Sequence, residues 1–223
     1  MPDGEEVNDM KKAVVLGIIL LAVFNPQTAL SRVAEPIKPA AYRGAGLPKL
    51  SQMTKLSGDK QKQVEPEYLR IVADYFCYSD DRFYTAIQAK NGSFPRSGKL
   101  GTSWYSYMTV IAKPGYDEIV WAITYINVPM AGLRPGLYRV DNRKKQELIR
   151  IGDIEYHIDK EKSLLRMSCK ISDLLADPDF SAWYNKAAPD LGLLSMTTST
   201  TILPFNTKTV DSTYPVKIIL PGK

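Results

Sequence analysis

From Glu67 onward the chain alternates apolar and polar residues with a period of two, and clusters of Gly, Pro and Asp interrupt the alternation at short intervals. A period of two places successive side chains on opposite faces, so it specifies half-buried strands rather than helices. Leu69, Ile71, Ala73, Tyr75 and Cys77 alternate with Arg70 and Asp74, and Ser79-Asp80-Asp81 follows as a turn. Arg82 to Lys90 is the expected return strand, with Phe83, Thr85, Ile87 and Ala89 on one face. Asn91 to Gly101, rich in Gly, must be a loop. Ser103 to Ala112 and Glu118 to Asn127 carry the densest Tyr, Trp, Ile, Val and Thr, with Lys113-Pro114-Gly115 turning between them. Leu137 to Val140, Gln146 to Ile151, Ile154 to Ile158 and Ser163 to Ile171 extend the series. In the last of these Leu165, Met167, Cys169 and Ile171 share a face. Two short helices are expected next: Asp173 to Ala176 capped by Ser172, and Phe180 to Lys186 capped by Asp179. Leu193 to Leu203 and Val216 to Leu220 return to strand. Roughly nine short strands with Gly and Pro turns predict a mainly β protein, an antiparallel β-sandwich with one or two short helices.

The N-terminal part differs in kind. Met10, Lys11 and Lys12 precede an unbroken apolar run, Ala13 to Phe24, and Ala29-Leu30-Ser31 supplies small residues at a cleavage site. The run is shorter than the about 20 residues a spanning helix needs. Residues 1–31 are therefore expected to be a signal peptide, with Met10 a candidate start. The mature chain is expected to be secreted or periplasmic, with no stable membrane span after processing. Residues 32–66 contain Pro36, Pro39, Pro48 and Pro66 with Gly44, Gly46 and Gly58, and they lack hydrophobic periodicity. They are expected to be a flexible linker, which leaves residues 67–223 as the sandwich domain.

Composition excludes several activities. The formal net charge is +5, with no dense Lys/Arg run interleaved with aromatics, which argues against a nucleic-acid partner. His157 is the only histidine, so a His-based triad would have to use it, and a multi-histidine zinc site is impossible. Gly92 to Leu100 superficially resembles a phosphate loop but carries Leu100 where a hydroxyl residue would bind magnesium. Asp80-Asp81 and Asp177-Pro178-Asp179 lack the spacing of a calcium loop, and turn or cap duty accounts for them. No catalytic residue, metal site or cofactor is expected.

Two pairs of residues stand out. Strand alternation puts Trp104, Met108 and Val110 on one face and Tyr105, Tyr107 and Thr109 on the other. With the first set taken as core, alongside Ile119, Trp121, Ile123 and Tyr125 of the next strand, Tyr105 and Tyr107 become the candidate exposed ligand-binding aromatics. A planar ring with a hydroxyl suits a sugar face or a partner protein. The only cysteines, Cys77 and Cys169, each lie on the expected apolar face of a strand. A disulfide would close a long loop and stabilise substantially, while two buried free thiols remain the alternative.

The stretch Ile71-Val72-Ala73-Asp74-Tyr75-Phe76, followed by Asp80-Asp81-Arg82-Phe83-Tyr84-Thr85-Ala86-Ile87, resembles the opening strand, acidic turn and aromatic return strand of the DOMON-like sandwiches and the related family-nine-type carbohydrate-binding modules. Ile154-Glu155-Tyr156 ahead of Leu164-Leu165-Arg166-Met167-Ser168 resembles their late hairpin. The resemblance covers about half the chain and implies binding of sugars or haem without catalysis. With His157 alone, a haem-ligating His and Met pair is not evident, and no ligand-binding residue carries over. The expected function is non-catalytic binding of a polysaccharide or another cell-envelope component. A structural or assembly role using the N-terminal linker comes second, and an exported hydrolase third.

Overall fold

The computed structural model describes residues 35–60, 63–98, 102–113, 116–128, 132–141, 143, 147–184, 190–202 and 205–220. The expected signal peptide lies outside them. Two sheets, antiparallel except for the two-residue β1–β3 pairing, pack face to face, as the alternation predicts. The strands are β1 (Ala40–Ala41), β2 (Thr54–Ser57), β3 (Ile71–Tyr78), β4 (Arg82–Ala89), β5 (Ser103–Lys113), β6 (Tyr116–Ile126) and β7 (Gly136–Asp141). They continue as β8 (Glu147–Gly152), β9 (Ile154–Asp159), β10 (Leu164–Lys170), β11 (Asp190–Ile202), β12 (Phe205–Ser212) and β13 (Val216–Ile219). One sheet runs β1-β3-β4-β10-β9 with β2 also on β3, and the other runs β12-β11-β5-β6-β7-β8 with β13 also on β11. Among the described residues no helix is long and apolar enough to cross a membrane.

The inter-sheet core takes Phe83, Ile87, Leu165, Met167 and Cys169 from the six-stranded sheet and Tyr107, Ile111, Ile119, Trp121 and Ile123 from the seven-stranded one. Two helices close one end. α1 (Ile171–Leu175) leaves β10 directly, and its N-cap is Lys170 rather than Ser172. α2 (Pro178–Tyr184) starts two residues earlier than expected, because Asp177 rather than Asp179 caps it: Phe180 N donates to Asp177 Oδ1 at 3.0 Å. Pro178 then occupies the first helical position, where its missing N–H costs nothing. Phe180 packs edge-on to Trp121 at 4.9 Å, and Tyr184 reaches Phe83 at 6.3 Å, so α2 ties both sheets together.

Part of the expected linker is structured. Ile37 bridges to Ile218, Ala40–Ala41 pair in parallel with Cys77–Tyr78, and Thr54–Ser57 pair antiparallel with β3. Tyr42, Met53 and Leu56 are buried. The segment lacks periodicity because it contributes two very short strands joined by turns, and it buries isolated side chains rather than a continuous face. β12 escaped for a related reason. Its Thr207, Lys208 and Thr209 are polar, and an edge strand needs no apolar pattern.

Phase also changes within β3. Ile71 pairs with Ala89, but Ala73 pairs with Gln88, a one-residue irregularity. Beyond it Phe76 faces the inter-sheet core, while Tyr75 and Cys77 turn to the outer face.

Candidate functional site

Tyr105, Tyr107 and Cys77 fall on other faces than the alternation placed them, while Cys169 lies on its expected core face. Tyr105 and Tyr107 are buried in the inter-sheet core and form no exposed aromatic surface. Trp104, Met108 and Val110 are buried on the opposite face with Val120, Ala122, Ile126 and Met196, so both faces of β5 are covered. The hairpin register contained this information: Tyr107 stands directly opposite Tyr125. Cross-strand partners share a face, so if Tyr125 is core, Tyr107 is too. Tyr107 packs on Phe94 at 5.1 Å and Tyr125 at 6.2 Å. Its buried hydroxyl has no hydrogen-bond partner among the described residues, and burial pushes the phenol's pKa well up. Phe94 is itself buried, so the Gly-rich loop is pinned into the core rather than open around a phosphate.

Cys77 and Cys169 are both buried free thiols, which corrects the disulfide expectation. Cys77 pairs with Tyr84 and Cys169 with Phe83, so one intervening strand separates them. Tyr84 and Phe83 are adjacent in sequence and point to opposite faces. The two sulfurs therefore lie on opposite sides of the sheet, about two strand spacings apart, beyond disulfide reach. Burial pushes each thiol up to about 12, which keeps it protonated while it stays buried. His157 is exposed on the edge strand β9.

The residues that do converge lie on the outer face of the six-stranded sheet. A cavity of about 750 Å³ is lined by Tyr42, Arg43 and Gly44 to Gly46 on one side. Tyr78 to Arg82, Tyr84 and Glu155 line the other. The β3–β4 turn builds one wall. Ser79 Oγ donates to Asp81 Oδ1 at 2.6 Å and accepts from Arg82 N at 3.1 Å, a hydroxyl-stabilised turn. The floor is Arg82, which donates to Ser168 Oγ at 2.7 Å and to Glu155 Oε1 at 2.7 Å across two strands. Tyr42 stands edge-on to Tyr84 at 5.2 Å, and its hydroxyl donates to Ala45 O at 3.0 Å. Arg43 and Asp80 face the cavity from its two sides, and neither has a charged or hydrogen-bonded partner among the described residues. The arrangement is a polar pocket with tyrosine walls, a fixed Arg–Glu floor and one free charge of each sign. It contains no histidine or cysteine.

Sequence reasoning assigned Asp80-Asp81 to a turn and gave no site role to Tyr42, Arg43, Tyr84 or Glu155. The cross-strand order β4-β10-β9 brings Arg82 to Glu155, and local sequence does not contain that order. Among the described residues no group of three or more His, Cys, Asp or Glu could hold a metal ion. Asp141, Asp177 and Asp179 do gather, but around Arg139.

Fold and pocket together define a two-sheet β-sandwich with a polar, tyrosine-walled cavity on its outer face. No protein-family model matches the chain, and no curated protein matches it in sequence.

Proposed function

We propose that the protein is a non-catalytic, exported β-sandwich that binds a carbohydrate of the cell envelope or its surroundings in the pocket beneath Tyr42 and Arg43. The observation that carries this reading is the pairing of unspent Arg43 and Asp80 across a tyrosine-walled cavity. Sugars present an apolar ring face bordered by hydroxyls. They are held by aromatic walls together with groups that both donate and accept hydrogen bonds. Arg43 donates and Asp80 accepts, so a diol spanning them satisfies both. The cavity volume is in the range of small-ligand sites. The resemblance to carbohydrate-binding sandwiches agrees with this reading and does not carry it.

The test is retention of the full chain on an array of neutral, amino-sugar and uronic-acid glycans, repeated for Arg43→Ala and Asp80→Asn. Each substitution is expected to weaken binding at least about tenfold, the scale of one lost hydrogen bond to a charged group. Unchanged melting temperatures are expected, because neither side chain has an internal partner among the described residues. Undiminished retention in both variants would remove the pocket from the reading, and no retention on any glycan would remove carbohydrate.

A second reading, assembly through the N-terminal segment, is favoured by one observation. Ile37 pairs with the seven-stranded sheet and Ala40–Ala41 pair with the six-stranded one, so a single short segment joins both.

A further inference from the structure

One wall of the pocket comes from the N-terminal edge segment rather than from the long strands of the sandwich. Ala41 to Gly46 belong to a segment anchored at two points. At the first, Ile37 N donates to Lys217 O at 2.9 Å and Ile37 O accepts from Ile219 N at 3.0 Å. At the second, Leu56 enters the inter-sheet core and Ser57 Oγ donates to Asp74 Oδ1 at 2.5 Å. Between the anchors, residues 38–55 pair with the edge of β3 through β1 and the start of β2, and the loop between those strands lies over the outer face of the six-stranded sheet, all on light fastenings. The ladder to β3 is two residues long at β1, and β2 is irregular between Lys55 and Ser57. Tyr42 N donates to Tyr78 O at 2.7 Å, and Arg166 Nη1 donates to Pro48 O at 3.1 Å. A third bond, Ala40 N to Thr54 Oγ1 at 2.8 Å, stays within the segment and holds its two limbs together.

The apolar contacts of this segment form a cluster of their own. Tyr42 and Met53 cover Cys77, Tyr84, Ala86 and Leu164, and none of these six belongs to the inter-sheet core. The cluster can therefore be taken apart while the core stays intact. A unit held by few contacts and a separate small cluster opens at a lower free energy than the whole domain.

We propose that residues 38–55 form a strap that lifts and docks as one unit on a sandwich that stays folded, and that docking it completes the pocket. The clause about ligand rests on the carbohydrate reading: a sugar gripped by both Arg43 and Asp80 binds only the docked state and so holds the strap down. The motion itself does not depend on that reading.

The two cysteines provide the measurement. Both are wholly buried, but Cys77 lies beneath the strap and Cys169 between the sheets. Lifting the strap uncovers Cys77 alone, whereas global unfolding uncovers both. The full chain is exposed to a maleimide under native conditions, and modification at each cysteine is followed by peptide mass. Cys77 is expected to react at least about tenfold faster than Cys169. Tyr42→Ala is expected to speed Cys77 by a further factor on the order of ten without changing Cys169, because it empties the strap's own cluster. Thr54→Val, which removes only the internal hydrogen bond, gives a smaller rise at the same site. Equal rates at the two cysteines in the unsubstituted protein, or equal acceleration of both by Tyr42→Ala, overturn the strap. If Cys77 reacts selectively while no glycan is retained, the strap stands and the carbohydrate reading falls.

Discussion

Two regions of this protein assemble the same inventory of charge, two arginines and three carboxylates, and use it in opposite ways. Where β7 meets α2, Arg139 Nη2 binds Asp141 at 2.9 Å and Asp179 at 2.6 Å, and Arg143 Nη2 binds Asp141 at 2.9 Å. Arg139 Nε lies 3.0 Å from Asp177, off the line of its N–H, so that contact is ionic rather than a formed hydrogen bond. All three carboxylates there are taken up, and Asp141 is fully buried. In the pocket, Arg82 and Glu155 pair, Asp81 accepts from Ser79, and Arg43 and Asp80 remain without partners among the described residues. Glu155 is 57 % exposed. A closed ionic knot around buried Asp141 fastens helix to sheet, with Arg143 and Asp179 reaching the surface, whereas the open set around the cavity keeps one charge of each sign unpaired among the described residues. Composition cannot separate these two outcomes. Burial and pairing do.

The largest expected effect tests the closed knot. Arg139→Ala leaves buried Asp177 without its cation and Asp141 with Arg143 alone, and should lower unfolding free energy by about 3 kcal/mol in denaturant titration. If its cost is no greater than that of Glu155→Gln, the two regions are energetically alike and the contrast fails.

The next effect is a pH dependence of opposite signs. Hydrogen bonds from Arg143, more than any other contribution, hold the Asp141 carboxyl down at about 2, below its ordinary 3.8. Its stabilisation is therefore fully present above 3.8 and is lost as pH falls through 3.8 toward about 2, on the order of 2 kcal/mol. Asp74 moves the other way. Burial raises its pKa above 3.8, against hydrogen bonds from Ser57, Ser195 and Thr213. Its contribution is thus greatest in acid and is lost as pH rises from 3.8 through the raised value. Denaturation midpoints from pH 2 to 6 should rise more shallowly in Asp141→Asn than in the parent and more steeply in Asp74→Asn. Parallel profiles for the three proteins would contradict both assignments.

The smallest effect belongs to the open set. Glu155→Gln should change stability by no more than about 1 kcal/mol, because an ion pair with one exposed partner is screened by water and salt. A larger loss in thermal melts would mean that the pocket floor is structural, and would weaken the contrast from the other side.

Much of the fold was legible because period two is a local property. The faces of β4 and β10 were read correctly from Phe83, Ile87, Leu165 and Met167, which all reach the inter-sheet core. Errors began where a face depended on a partner strand. Tyr107 was placed outside although its position opposite Tyr125 requires the inside, and Cys77 was placed inside although the irregularity after Ile71 turns it outward. The pocket was less legible still. Tyr42, Asp80 and Glu155 lie far apart in sequence and meet only through strap docking and the β4-β10-β9 order.

The chain's own pattern determined that this protein is built of short antiparallel strands, because the alternation that buries one face of a strand is written residue by residue. Tertiary structure decided which face each strand buries, where the two thiols lie, and which of two equal sets of charge is tied off. Those outcomes depend on register and on burial, and both arise from strands that meet across the sheet rather than along the chain.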